Sequence, residues 1–165
     1  MTRRPLLALL CTLGLARKTA NAQTPDPKTA QTSPPKIEPL RLADTEWKKR
    51  LSPDAYAVLR QEGTERAGTS PLDHEKRKGM FHCAGCELAL FSSDTKFDSG
   101  TGWPSFFSSL PGAVVSKTDF KLIVPRTEYH CARCEGHQGH VFNDGPRPTG
   151  KRYCNNGVAL KFVPA

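Results

Sequence analysis

One cysteine near the C-terminus is surrounded by residue types that activate a thiol. Cys154 follows Arg152 by two positions, and Asn155 and Asn156 come directly after it. A neighbouring cation and hydrogen-bond donors stabilise a thiolate, which lowers the thiol pKa and makes the sulfur nucleophilic. The alternative is a buried cysteine that acts as a small inert hydrophobe, and it does not account for these polar neighbours. We therefore predict that Cys154 is a redox nucleophile.

Groups that can transfer protons lie in the same turn-rich stretch as Cys154. His137 and His140 titrate near neutral pH, and Asp144 can orient one of their rings by accepting a hydrogen bond. The alternative role for both histidines is hydrogen bonding within a turn. We expect them to serve the chemistry at Cys154.

An aromatic residue on a tight turn is a candidate pocket wall. Gly100 and Gly102 flank Thr101 and precede Trp103-Pro104, so the backbone turns sharply and holds Trp103 in a rigid position. Trp103 then either packs in the core or forms an apolar wall that accepts a methyl or thioether group beside a thiolate.

Four further cysteines have the spacing of a metal site. They form two pairs, Cys83-x-x-Cys86 and Cys131-x-x-Cys134, and two such pairs are typical of a tetrahedral structural zinc site. A ligand set made from the second pair with His137 and His140 would leave the first pair unexplained. In an oxidising compartment each pair can instead form a disulfide. We expect all four thiolates to bind one structural Zn²⁺ that staples distant parts of the chain.

The N-terminal segment has the features of a targeting signal. Residues 1–22 combine a basic start, an apolar run from Leu6 to Ala16 and a small-x-small site at Ala20-Asn-Ala22. Arg3-Arg4 resembles a twin-arginine motif. We expect export to a bacterial periplasm, with an organelle transit peptide as the alternative. Nothing later is apolar enough to span a bilayer, so no stable membrane insertion is expected.

The rest of the chain predicts a linker and a single domain. Residues 23–40 are rich in Pro, Thr, Gln and Ser and predict a flexible linker, whereas residues 41–165 can form one core. The net charge of +8 includes four basic residues of the targeting segment. The modest remaining surplus does not imply nucleic-acid binding, and we expect none.

The elements expected to position these residues are mainly strands. Thr45 and Ser52-Pro53 are candidate helix starts, and Gly63 is a candidate helix end. Beyond Gly79 the pattern changes to short β-type runs broken by turns, and both Cys-x-x-Cys pairs fall at predicted hairpin turns. The predicted fold class is mainly β, with two antiparallel sheets, short N-terminal helices and a zinc staple. The predicted strands are residues 80–83, 88–91, 113–115, 122–124, 128–131, 138–142 and 158–163.

These motifs together are similar to those of the B-type peptide methionine sulfoxide reductases. The similarity runs from about Trp47 to Phe162 and includes both cysteine pairs. Its other motifs are Gly63-Thr-Glu65, Leu90 to Phe106, Arg126-Thr-Glu128, Gly139-His-Val-Phe142, Asp144 to Gly150 and Arg152-Tyr-Cys-x-Asn156.

The resemblance implies an activity and a role for each candidate residue. The family reduces the R epimer of methionine sulfoxide, free or in proteins, and so repairs oxidised proteins. By resemblance, Cys154 attacks the sulfoxide sulfur and becomes a sulfenic acid, Trp103 holds the ε-methyl group, and the paired cysteines bind zinc. The residues that match the polar substrate pocket are His137, His140, Asp144, Arg152 and Asn156. We expect a monomer.

One departure from the family pattern concerns regeneration of the thiol. Many members carry a resolving cysteine where this chain has Thr101. We therefore expect an external thiol, from a thioredoxin-like protein or another reductant, to reduce the Cys154 sulfenic acid directly.

Two non-enzymatic alternatives have a zinc site without catalysis. A zinc-ribbon-like binding module predicts clustered basic and aromatic residues, whereas the basic residues here are scattered. A structural zinc protein that binds misfolded clients would show no turnover of sulfoxide. Both leave Cys154 without a function.

Overall fold

The computed structural model describes residues 36–120 and 125–165. The targeting segment, residues 23–35 of the expected linker and the expected strand at 122–124 therefore lie outside the described residues. Leu40, the last residue of that linker, belongs to the domain: its backbone N donates to the Arg133 carbonyl oxygen at 2.7 Å, and its side chain packs against the core. No helix of the described part is long and apolar enough to cross a bilayer.

Two short helices begin the domain, α1 (Asp44–Arg50) and α2 (Pro53–Gln61). The prediction at Ser52-Pro53 is confirmed, because the Ser52 hydroxyl accepts from the Ala55 backbone N and Pro53 occupies the first turn. Thr45 is not a cap; α1 begins one residue earlier without a side-chain cap. Helix α2 ends before the predicted Gly63, with Glu62 in the left-handed conformation at φ 53°.

The fold class is confirmed as mainly β with two antiparallel sheets. The smaller sheet has the order β2-β1-β9, and the larger has the order β3-β4-β8-β7-β6-β5. The strands are β1 (Gly79–Cys83), β2 (Ala89–Ser92), β3 (Lys96–Phe97), β4 (Ser105–Phe106), β5 (Val114–Asp119), β6 (Arg126–Cys131), β7 (His137–Phe142), β8 (Arg152–Asn155) and β9 (Leu160–Pro164).

Aromatic side chains from both sheets form a shared core. Phe81, Phe91, Phe106 and Tyr129 are all fully buried, and the Phe91 and Phe106 rings stack with their centroids 4.2 Å apart. Burial of each such ring stabilises the fold by roughly 1.5–3 kcal/mol. Phe106 belongs to β4, which pairs with β8, so this core fixes the strand that carries Cys154.

Candidate active site and metal centre

Cys154 lies on an inner strand, where its neighbours are set by strand register. His140 of β7 and Ser105 of β4 are its partners on either side, and Glu128 of β6 is the partner of His140. Side chains of directly opposed residues project from the same face of a sheet. The sheet therefore brings His140 and Cys154 together although β8 itself was not predicted.

A cleft of about 120 Å³ opens beside the Cys154 thiol. Trp103 is half-buried and forms one wall, and its ring nitrogen donates to the Glu65 carbonyl oxygen at 3.2 Å. The indole is thus a fixed pocket wall and not a core residue. The lining residues are Thr64, Trp103, Arg126, Gly139, His140, Phe142, Cys154, Asn155 and Asn156.

Burial and charge act in opposite directions on the Cys154 thiol. Burial raises the pKa of Cys154 above its ordinary value, while the Arg152 guanidinium and a hydrogen bond from Thr101 lower it. Burial outweighs the other two, so the thiol pKa is raised and not lowered as the polar neighbours had suggested. Arg152 and Thr101 limit that rise.

Arg152 is anchored by the side chain expected to orient a histidine. Two guanidinium nitrogens donate to the Asp144 carboxylate at 2.9 and 2.8 Å, and the guanidinium lies over the Phe142 ring at 4.4 Å. Asp144 is 60% exposed, and the Arg152 hydrogen bonds lower its pKa. Asp144 therefore orients Arg152, and the expectation that it holds an imidazole is wrong.

The two histidines are held by other carboxylates. His140 Nε2 lies 2.9 Å from Asp119 Oδ2, and His137 Nδ1 lies 2.5 Å from Glu128 Oε1. His140 lines the Cys154 cleft, whereas His137 is buried behind it and lines a separate cleft with Glu128. The two imidazole centroids are 5.5 Å apart.

Asn156 joins the cleft to two other segments. Its side-chain oxygen accepts from the Glu65 backbone N, and its side-chain nitrogen donates to the Gln138 carbonyl oxygen, both at 3.0 Å. The Glu65 carboxylate in turn accepts from the backbone N of Gly157 and Val158 at 2.5 and 2.9 Å. Asn156 is thus a buried connector at the cleft wall.

Arg126 is a cleft residue that was not a sequence candidate. Its Nη2 donates to Asp119 Oδ2 at 2.7 Å, and its Nε is buried with no hydrogen-bond partner among residues 36–120 and 125–165. The motif Arg126-Thr-Glu128 could have indicated this, because residues two apart on a strand project from the same face and Arg126 therefore shares a face with Glu128. Asp119 offered no comparable signal, since it is an isolated acid at the end of β5.

The four paired cysteines form one buried cluster. Their sulfur atoms all lie within 4.8 Å of one another, with 3.6 Å between Cys83 and Cys134 and 3.4 Å between Cys86 and Cys131. Four thiolates about 2.3 Å from one zinc ion would be about 3.8 Å apart, so the set fits a tetrahedral ion. The cysteines are free thiols, and both histidines are held by carboxylates, so the structure supports neither alternative ligand scheme.

Each cysteine pair lies on an equivalent hairpin turn, as predicted. The first turn joins β1 to β2 and the second joins β6 to β7. In both, the residue after the second cysteine has left-handed backbone, with φ 64° at Glu87 and 58° at Glu135. Trp47 and Leu59 lie beside the first turn, because a Cβ added at Gly85 would be in ordinary van der Waals contact with both side chains.

Comparisons with known proteins agree with this geometry. The SelR domain family matches residues 51–164, a region that contains every cleft and cluster residue described above. A chloroplastic peptide methionine sulfoxide reductase B1 of Arabidopsis thaliana is 49% identical over 144 residues, which cover 87% of this chain and 71% of the plant protein. The MsrB of Leptospira interrogans is 54% identical over 124 residues, covering 74% and 95%. The chloroplastic B1 of Oryza sativa is 54% identical over 122 residues, and the match spans 57% of its length.

Proposed function

We propose, because this chain belongs to the SelR-domain family of peptide methionine sulfoxide reductases, that it reduces methionine-R-sulfoxide, free or in proteins, and so repairs oxidised proteins. The observation that carries this proposal is the Cys154 thiol in a cleft with Trp103 on one wall and His140 as its cross-strand neighbour. The family membership decides against a zinc-ribbon-like module without catalysis.

In the proposed reaction, the Cys154 sulfur takes the oxygen of the substrate. The thiolate attacks the sulfoxide sulfur and forms an S–S bond while the sulfoxide oxygen takes up one proton. The hydroxyl group then moves to the Cys154 sulfur as the S–O and S–S bonds to the substrate sulfur break, so methionine leaves with one new electron pair on its sulfur and Cys154 becomes a sulfenic acid. Trp103 packs against the ε-methyl group. Arg152 stabilises the thiolate, and His140 hydrogen-bonds to the sulfoxide oxygen as it gains a proton.

Regeneration of Cys154 depends on an external thiol. The residue near Cys154 in the Trp103 turn is Thr101, whose hydroxyl cannot form a disulfide. A reductant thiol therefore attacks the sulfenic acid, releases water and leaves a mixed disulfide that a second thiol resolves. A thioredoxin-like protein or a small dithiol would supply both electrons.

The cysteine cluster would hold a structural zinc ion. The residues Cys83, Cys86, Cys131 and Cys134 supply four thiolates and leave no open coordination position, so zinc would stabilise the fold and take no part in the reaction.

The function is tested with separated epimers of N-acetyl-methionine sulfoxide and dithiothreitol as reductant. The domain should turn over the R epimer and leave the S epimer unchanged. The variant Cys154→Ser should fold normally and lose turnover by at least about 10³-fold. Turnover of the R epimer by Cys154→Ser, or of neither epimer by the wild type, would reject the assignment.

The same proposal extends to the targeting segment. Residues 1–22 would direct the domain across a membrane, into a bacterial periplasm or, as the alternative, into an organelle. Two of the plant relatives are chloroplastic, which supports the alternative. Mass spectrometry of the protein from fractionated cells should find the N-terminus at Gln23 outside the compartment of synthesis. A protein that keeps Met1 would rule out cleavage.

A further inference from the structure

Two buried carboxylates stand behind the histidines of the site. Asp119 on β5 is 5% exposed and Glu128 on β6 is 2% exposed. Each has a cationic neighbour, Arg126 at 2.7 Å from Asp119 and Lys117 at 3.3 Å from Glu128. Asp119 also lies within hydrogen-bond distance of the His140 ring, and Glu128 within that of the His137 ring, with Nε2 of His130 farther away at 3.4 Å. A carboxylate removed from water needs such partners. Because the cation by itself would balance the negative charge, the contact with the imidazole is additional to what charge balance requires.

The imidazoles contact these carboxylates through different nitrogens. Asp119 bonds to Nε2 of His140, whereas Glu128 bonds to Nδ1 of His137. An ionised carboxylate only accepts hydrogen bonds, so the nitrogen that faces it must carry the hydrogen. This requirement places the hydrogen on Nε2 in His140 and on Nδ1 in His137.

The second nitrogen of His137 is then available for other chemistry. Nε2 of His137 is buried and has no hydrogen-bond partner among the described residues. Burial lowers the pKa of His137, so the ring is neutral at neutral pH and Nε2 holds a lone pair. A buried acceptor without a partner is unfavourable by about 1–3 kcal/mol, which a donor from a bound molecule would offset.

We propose that Asp119 and Glu128 are positioning residues that hold His140 and His137 in opposite tautomers. The first ring then keeps a lone pair on Nδ1 and the second keeps one on Nε2, and each lone pair can only accept a hydrogen bond. His140 can therefore bind the sulfoxide oxygen once that oxygen carries a proton, whereas His137, in its separate cleft, can bind a water molecule. This inference rests on the proposed reductase function. It gives a reason for Glu128 to lie on β6 opposite His140 of β7, which is in turn opposite Cys154 of β8.

The tautomers can be measured directly in the full domain. With ¹⁵N-labelled histidine, long-range ¹H–¹⁵N spectra distinguish Nδ1–H from Nε2–H in each neutral ring. His137 should carry its hydrogen on Nδ1 and His140 on Nε2. A wild-type spectrum with the hydrogen on the opposite nitrogen of either ring would overturn the proposal, even if every variant below failed to fold.

Variants separate positioning from a structural role. Glu128→Gln keeps the shape of the side chain but can present either an oxygen or an amide to Nδ1, so both tautomers of His137 should appear. We expect kcat to fall about tenfold to a hundredfold, with KM changed less than about threefold. The matched control is Glu135→Gln, an exposed glutamate lining the same cleft as His137, which should keep the wild-type kcat.

A double-mutant cycle completes the test. In a His137→Ala background, Glu128→Gln should cause no further loss of kcat, because the group that it positions is gone. Full multiplication of the two losses would show that Glu128 acts independently of His137 and would overturn the proposal. Asp119→Asn with His140→Ala gives the same comparison for the second pair. The proposed reductase function is tested separately, because turnover of the R epimer by Cys154→Ser would reject it. The histidine tautomers of Cys154→Ser should match those of the wild type, so the tautomer measurement does not depend on that result.

Discussion

The proposed nucleophile, Cys154, is half-buried. Burial raises its thiol pKa, and Arg152 and Thr101 counteract that rise. Since a raised pKa means that the protonated thiol dominates at neutral pH, the thiolate fraction of the free protein increases as the pH rises. Substrate binding then has to occur at a sulfur that is only fractionally ionised beforehand.

The first prediction concerns the charge beside Cys154. Arg152→Met removes the cation and leaves Asp144 as a nearby negative charge, and both changes favour the protonated thiol. The alkylation rate of Cys154 by iodoacetamide, followed against pH, should shift to higher pH, and kcat/KM at pH 7 should fall about tenfold or more. The exposed neighbour provides a control, since Lys151→Met should leave the alkylation profile in place. A wild-type profile for Arg152→Met would contradict the assigned role of the guanidinium.

The second prediction concerns Thr101. Hydrogen bonding by its hydroxyl lowers the pKa of the Cys154 thiol, so we expect a thiol at this position to reach the Cys154 sulfur. After one turnover without reductant, the wild type should hold a sulfenic acid that dimedone traps. Thr101→Cys should instead hold a disulfide between position 101 and Cys154, visible by mass spectrometry. Thr118→Cys, on an exposed part of β5, should behave as the wild type, and an intramolecular disulfide in the wild type would overturn the external-thiol cycle.

Local sequence signals point to the proposed reacting groups but not to the residues that contact them. Cys154, Arg152 and Trp103 carry local signals, namely a thiol beside a cation and an aromatic residue beside two glycines. Asp119 and Glu128 are distant in sequence from the rings they contact and meet them only through the pairing of β5, β6 and β7. Their partners depend on strand register, which local patterns do not determine.

At the scale of elements, the segment after α2 joins the two halves of the cleft. Glu65 accepts from the Trp103 ring through its carbonyl oxygen, and its carboxylate accepts from two backbone N–H groups that follow β8. The loop that holds the aromatic wall and the strand that holds the thiol are therefore fixed to the same residue. Their separation is set by this residue as well as by the sheet.

The third prediction tests the hydrogen bonds that Glu65 makes. Glu65→Gln leaves one of the two backbone N–H groups without its charged acceptor, which should lower the free energy of unfolding by about 1.5–3 kcal/mol. Thermal denaturation should show a Tm lower by about 5 °C or more. Glu46→Gln, which alters only an exposed ion pair on α1, should change the stability by less than about 0.5 kcal/mol. Equal Tm values for the two variants would contradict the role of Glu65.

The predicted and missed elements differ in how local their causes are. Helix α2 was predicted because Ser52-Pro53 is a start signal within one turn of chain. Strand β8 was missed because Arg152-Tyr-Cys-Asn155 has no apolar alternation and lies beside a Gly and Pro-rich turn. It is a strand because β4 and β7 bind it on both edges, a tertiary cause.

At the scale of the whole domain, the cysteine cluster joins the two sheets. One turn extends from β1 of the smaller sheet and the other from β6 of the larger. A buried chain of side chains runs onward from it: Gln138 donates to the Cys83 sulfur at 3.4 Å and accepts from Asn155 at 3.5 Å. Asn155 is the neighbour of Cys154. The cysteine cluster is therefore connected both to the two sheets and to the strand that holds the Cys154 thiol.

The fourth prediction separates the metal centre from the reacting thiol. The purified domain should contain one zinc per chain by elemental analysis. Cys86→Ser should lose it and melt about 10 °C or more below the wild type, because metal binding contributes directly to folding. Cys154→Ser should keep both the zinc and the wild-type Tm within about 2 °C. A purified wild type that contains no metal, and whose melting curve does not change when zinc is added, would refute the zinc assignment.

The place of Cys154 on an inner strand limits the order of events in turnover. β8 is bonded to β4 on one edge and β7 on the other, so the sulfur cannot travel to a distant reductant. In the proposed cycle, substrate and reductant must instead come to the same sulfur through the same cleft, and each excludes the other while bound. The two half-reactions must alternate, so double-reciprocal plots of rate against sulfoxide at several reductant concentrations will be parallel lines, the signature of a ping-pong mechanism.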